Sequence, residues 1–197
     1  TLRFKKGIKF DELKAKNEVT RIDAPDDLIA KSVDAHIAMA EHRFDEAMAL
    51  FRDRTGRPGP STWELGAFLE GHADYPVAGV SWYEAAAYAR FRGRSLPSVY
   101  HWNRAAGTWT ANWTVPRSNL GGSGTAPVGR FQGIGPWGTY DMAGNVREWC
   151  ANASGDQRFI LGGGWNDPDY AFGDAYAQPA LDRAFTNGFR CIRYPGP

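Results

Sequence analysis

The sequence predicts an α+β fold with little regular secondary structure, and three observations carry that prediction. Aromatic residues are abundant, 8 Trp, 8 Tyr and 11 Phe beside 23 Gly and 12 Pro, which suits a core of rings joined by turns rather than long helices. At 197 residues, one domain can bury such a core without disulfide staples. Three glycine-anchored motifs follow in a fixed order: Asp141-Met-Ala-Gly-Asn-Val-Arg-Glu-Trp149, Gly162-Gly-Gly-Trp165 and Gly188-Phe-Arg-Cys191.

Residues 1–43 read as an N-terminal extension and residues 44–197 as the main domain. The first 19 residues are Lys-rich and poor in aromatics. A helix is expected over 26–41, capped by Asp26 or Asp27; Leu28, Ile29, Val33, Ile37 and Met39 give it an apolar face to pack on the main body. A second helix over 44–54 should stop at Gly56 and Pro58. Ser81-Trp-Tyr-Glu84 is a capping box opening a helix through Phe91, with Gly93 as its stop. Pro97-Ser98 starts another short helix, closed by Gly107 after Ala106. The glycine-rich remainder has strand-like runs only at 158–161 and 189–194.

Charge and cysteine content narrow the function classes. With 23 basic and 22 acidic residues the net charge is +1, without a basic stripe or charged tail, so nucleic acid is not an expected partner. No apolar run approaches a membrane span, and the compartment stays open. Cys150 and Cys191 fit either one disulfide or two buried thiols.

In the first motif Asp141 and Glu148 are hard oxygen donors around Gly144, whose missing side chain allows a tight turn that aims carbonyls inward. Two readings stay open: a Ca²⁺-pinned loop, or a turn in which Glu148 bonds backbone N–H groups.

The motifs also carry a resemblance. Val80-Ser-Trp-Tyr-Glu-Ala-Ala-Ala-Tyr88, Gly93-Arg-Ser-Leu-Pro97 with His101-Trp102, Gly124-Thr-Ala-Pro-Val128, residues 138–149, Gly162-Gly-Gly-Trp165 and Gly188-Phe-Arg190 resemble the formylglycine-generating enzyme family, also called sulfatase-modifying factor domains. The match spans roughly residues 75–194. Residues 44–70 resemble domains linked to bacterial Ser/Thr kinases, especially 47–60 and Thr62-Trp-Glu-Leu-Gly66. The resemblance implies an elaborated C-type lectin-like fold, a bacterial or phage origin, and a monomer. It implies Ca²⁺ held by the side chains of Asp141 and Glu148 and the carbonyls of Gly144 and Val146. A second, weaker site would use Asn119 and Leu120, but its downstream acidic ligand has no counterpart in Gly121-Gly-Ser-Gly124.

The departures matter more. Catalytic members carry a copper-binding cysteine pair after the glycine-tryptophan motif, soft sulfur being what Cu(I) selects. Residues 164–174 contain no sulfur here, so no copper is expected. A sulfoxide-synthase branch of the family binds iron through three histidines; His36, His42, His72 and His101 show no such ligand spacing.

The expected function is therefore recognition of a protein or peptide ligand. Asn166, Asp167, Asp169, Tyr170, Phe172, Asp174, Tyr176, Asp182 and Phe185 mix short acids with rings, an adaptable contact surface in the segment where lectin-like domains bind ligands. The alternative is that these residues cover the core between Trp165 and Phe189. Variable proteins of diversity-generating retroelements resemble the family and diversify this segment; residues 166–177 and Ala151 fit the set that adenine randomisation of such codons can reach. Two further readings are an enzyme using Asp167, Asp169 and a nearby histidine as metal ligands, and the sensory domain of a Ser/Thr kinase.

Overall fold

A computed structural model describes residues 51–193. The expected helix over 26–41 and the extension that holds it lie outside these residues. The expected 44–54 helix reaches them only at its end. There Phe51–Arg54 is not helical, because Arg52 bridges Pro58 and the Asp53 side chain captures the backbone of the turn behind it.

Both capping signals form the helices they predict. In α1 (Trp82–Phe91), Ser81 Oγ accepts from Glu84 N and Glu84 Oε2 accepts from Ser81 N. Four alanines of this helix are buried, letting its backbone approach the sheet closely. In α2 (Val99–Ala106), Ser98 caps the start and Gly107, at φ 59, ends the helix in the left-handed conformation that glycine adopts without strain. Short 3₁₀ turns at Thr108–Thr110 and Val115–Arg117 flank α3 (Ala111–Thr114).

The sheet has four strands, β1 (Arg147–Ser154), β2 (Gln157–Leu161), β3 (Tyr176–Pro179) and β4 (Asn187–Gly188), in spatial order β3-β2-β1-β4. β1 and β2 form an antiparallel hairpin, and Gly155, at φ 58, takes the positive φ its two-residue turn requires. β4 pairs parallel to β1. Of the run at 189–194, expected as a strand, the described residues 189–193 hold only the single bridge between Ile192 and Ser95; the strand is two residues long and lies just before it.

The sheet divides the core into two clusters. Trp149 and Ile160 face α1 with Trp82, Tyr83 and Leu96, while Cys150 and Leu161 face α2 with Trp102, Met142 and Phe172. Alternate residues of β1 and β2 thus feed opposite faces, as strand geometry requires. The buried indoles are satisfied: Trp149 Nε1 donates to Val80 O and Trp82 Nε1 to Cys150 O, both at 2.8 Å. Both cysteines are free, and burial pushes the Cys150 thiol far up.

Candidate functional site

Among the described residues lies an open groove of about 930 Å³. Its lining comes from the strap 54–80, which contributes Trp63, Phe68, Leu69, Tyr75 and Val77, and from Trp165, Phe185 and Phe189. Trp165 and Phe185 lean on each other, centroids 5.6 Å apart, and His72 stacks on Tyr75 at 4.0 Å. Glu84, Tyr88, Gly124, Thr125, Arg190 and Cys191 also line it.

The strap has almost no secondary structure of its own, so side chains hold it. Asp53 Oδ1 accepts from Thr55 N, Thr55 Oγ1 and Arg57 N, and Oδ2 accepts from Gly66 N at 2.7 Å. Arg183 reaches across from the segment after β3. It donates through Nη1 to Arg52 O at 2.7 Å, through Nη2 to Gly59 O at 2.5 Å, and to both carboxylate oxygens of Glu84 at 3.0 Å. Glu84 is buried; desolvation raises its pKa, and Arg183 together with the Ser81 N–H opposes that rise.

The Asp53 bonds make a testable acid transition. Burial raises this carboxyl, but the donors outweigh it and hold the pKa at about 2, below the ordinary 3.8. A depressed folded-state pKa contributes stability above the unfolded value, lost as pH falls through the folded one. Melting temperature should therefore drop between about pH 4 and pH 2, and an Asp53→Asn variant should start lower and decline less steeply across that window, read by thermal melts at stepped pH.

The loop expected to hold calcium is built differently from a vacant cation site. Glu148 Oε2 accepts from Trp102 Nε1 at 2.7 Å and Arg190 Nε at 2.5 Å, and Oε1 accepts from Arg190 Nη2 at 2.6 Å. The same Nη2 donates to the carbonyls of Tyr140 and Asp141. Arg190 thus already supplies positive charge to the residues expected to coordinate Ca²⁺, and an ion on Glu148 would have to displace it. Asp141, at φ 54, accepts from Gly129 N at 2.7 Å, and burial raises its carboxyl. Gly144 is required for a steric reason: a Cβ there would stand 2.1 Å from the Asn119 carbonyl oxygen, where the two segments bridge. Asn119 is buried, with Nδ2 donating to Gly124 O and Asn145 Oδ1, and Leu120 packs against the α2-side core.

The residues expected to make the ligand surface separate into two groups. Asn166, Asp169, Tyr170 and Asp174 are exposed, as is Ala151 on β1, and Phe185 stands half-exposed in the groove wall. Asp167 is a correction. Its carboxylate pairs bidentately with Arg147 at 2.6 Å and accepts from Gly164 N, which lowers its pKa against the burial that would raise it. Phe172 is a second correction, buried against Trp102 in the core with no face for a ligand. Tyr176 packs partly on the α1-side core, and Asp182 accepts from Ala184 N and Asn187 Nδ2. Of the nine residues read from this segment, only Phe185 lines the groove; the strap side was missed because its rings follow no helical or strand period.

Among the described residues no three His, Cys, Asp or Glu side chains stand where one ion could be shared, so Asp167 and Asp169 do not form the metal site considered from the sequence with either described histidine, His72 or His101. His101 sits at the α2 start, its Nδ1 2.6 Å from Ser98 Oγ. Among the described residues no helix is long and apolar enough to cross a membrane.

The sequence matches the family model described as sulfatase-modifying factor enzyme 1-like domain over residues 30–195. A Ser/Thr-protein kinase pkn1 of Chlamydia caviae is 39% identical over 88 residues, 41% of this chain and 14% of the kinase. The inactive C-alpha-formylglycine-generating enzyme 2 of Bos taurus is 32% identical over 163 residues, 66% of this chain and 54% of that protein. The chain therefore spans a small part of the kinase and about half of the inactive enzyme. Two solved structures share the fold. The crystal structure of CarF superimposes with TM-score 0.55 at 20% identity, covering 82% of this chain and 83% of CarF. Variable protein 1 of Treponema denticola gives TM-score 0.50 at 18% identity, covering 73% and 78%. These neighbours place the chain in the C-type lectin-like fold.

Proposed function

We propose, for a chain that belongs to the sulfatase-modifying factor enzyme 1-like family, a role in recognising a protein or peptide ligand without oxidase chemistry. The groove is the observation that carries this reading: an open cavity of about 930 Å³ lined by Trp165, Phe185 and the rings of the strap. Aromatic walls supply apolar contact area at low entropic cost, and the Asp53 and Arg183 clamps hold the strap in place before binding. The absence of sulfur in residues 164–174 supports a non-catalytic role, since a copper ion of the family type would find no thiolate pair there. Ligand-facing roles for Asn166, Asp169, Tyr170, Asp174 and Ala151, outside the groove lining, belong to the same proposal as an exposed neighbouring surface.

Peptides selected from a displayed random library test this. They should bind the wild type and lose about tenfold or more in affinity for Phe185→Ala, a loss of about 1.4 kcal/mol or more. Equal affinity for both proteins would move the site elsewhere.

Calcium at Asp141, Gly144, Val146 and Glu148 is the second reading of that loop, with Asn119 and Leu120 as its weaker companions. Positive φ at Asp141, Gly144 and Asn145 within five residues favours it, a conformation its surroundings must enforce. It requires Arg190 to release Glu148. A melting temperature that falls on chelation would support calcium; an unchanged one supports the ion pair with Arg190. Roles as a kinase-linked sensory domain or as a retroelement variable protein are narrower versions of the same recognition function.

A further inference from the structure

Charge is unevenly distributed along this nearly neutral chain. From residue 85 to residue 140 there are six arginines and not one Asp, Glu or Lys. Three of the six, Arg104, Arg117 and Arg130, fall in the part of this stretch that carries α2 and α3, and all three are exposed. The same part carries Tyr100, Trp109, Trp113 and Trp137, which are 81, 63, 60 and 55% exposed.

These side chains form one strip. Tyr100 and Arg104 are one turn apart on the face of α2 opposite buried Trp102 and Ala106. The Arg104 guanidinium lies over the Trp137 ring, 4.4 Å from its centroid. Pro136, beside Trp137, abuts Gly107, and the Trp109 ring lies 3.5 Å from the position a Cβ would take on that glycine. Trp109 and Trp113 are again four apart along the helical run, and the Arg117 guanidinium stacks 3.7 Å from the Trp113 centroid while donating to Trp113 O. Exposed tryptophans in such density do not help the fold, and contiguous apolar surface of this kind marks an interaction site.

We infer that the strip formed by Tyr100, Arg104, Trp109, Trp113, Arg117 and Trp137 is a second recognition surface, separate from the groove, for an acidic segment of a partner protein. Charge complementarity names the occupant. Among the described residues neither Arg104 nor Arg117 takes part in an ion pair, and each guanidinium lies over an indole ring. A guanidinium held flat in this way is pre-organised for bidentate pairing with a carboxylate. The same contacts leave less ring surface for the base stacking that single-stranded nucleic acid uses, because a guanidinium takes one face of each of Trp113 and Trp137.

The test titrates the intact chain with a glutamate-only peptide, with a thymidine oligonucleotide and with vesicles containing phosphatidylglycerol, following tryptophan fluorescence at low and at high salt. The peptide should saturate the signal, and binding should weaken with salt, as exposed ion pairs do. The double variant Arg104→Gln, Arg117→Gln should bind the peptide about tenfold or more weakly. The double control Arg92→Gln, Arg94→Gln removes the same two charges at and just past the end of α1, outside the strip, and should change affinity by less than about twofold. These exposed residues hold no core contact, and matched melting curves would verify that the variants fold. Absence of saturable peptide binding, equal affinity in the double variant, or saturation by the oligonucleotide or vesicles alone would each overturn the inference.

Discussion

Glu148→Ala is expected to lower stability by about 3–5 kcal/mol, and the melting temperature by roughly 10 °C, whether or not a chelator is present. The reason lies in what the carboxylate holds. Glu148 is buried on β1 and joins three segments: Trp102 of α2, Arg190 after β4, and through Arg190 the carbonyls of Tyr140 and Asp141. Removing it leaves the Trp102 N–H without its acceptor and Arg190 as an uncompensated charge that burial already disfavours. Glu148→Gln keeps the volume and one acceptor, so it should lie between wild type and alanine. Differential scanning calorimetry of the three proteins, each with and without EDTA, separates the effects. A loss below about 1 kcal/mol for alanine would show that the loop is held by something other than this pair.

Glu84→Ala should produce a loss of similar size, about 3–5 kcal/mol, with a different signature. Glu84 closes the capping box of α1 and neutralises Arg183, the side chain that pins the strap at Arg52 and Gly59. Without the carboxylate, the Ser81 N–H loses its partner and Arg183 loses the charge that fixes its direction. The strap should therefore loosen beyond what global stability accounts for. Amide hydrogen exchange is expected to speed up at Gly59 and Ser61 under conditions where β1 amides remain protected. Uniform acceleration through strap and sheet would mean that Glu84 supports only the core.

Much of this organisation was legible in the sequence, and the places where reading failed share a cause. Both helices were marked by local chemistry, Ser81 with Glu84 and Ser98 with Gly107, whose bonds span only a few residues and survive in any tertiary context. The glycine motifs signalled the fold because each glycine answers to a close approach, as Gly144 does to Asn119. The β1–β2 hairpin went unread although Gly155-Asp156 marks its turn, because β1 begins inside the motif taken as a metal loop. Long-range pairs were out of reach. Nothing local to Glu148 announces Arg190, 42 residues away, and nothing local to Asp167 announces Arg147, so the ion pairs of these two acids could not be read from the sequence. Phe172 was misplaced for the related reason that a ring in a polar loop gives no sign of whether it turns inward.

The central claim is recognition without oxidation. Oxygen consumption by the purified protein, supplied with copper and a cysteine-containing peptide, tests it most directly. The account predicts no uptake above that of copper and peptide alone, since residues 164–174 offer no thiolate pair, Cys150 is buried with its thiol held protonated, and Cys191 stands half-buried without a partner thiol. Protein-dependent uptake that saturates with peptide would contradict the account and make the chain an enzyme.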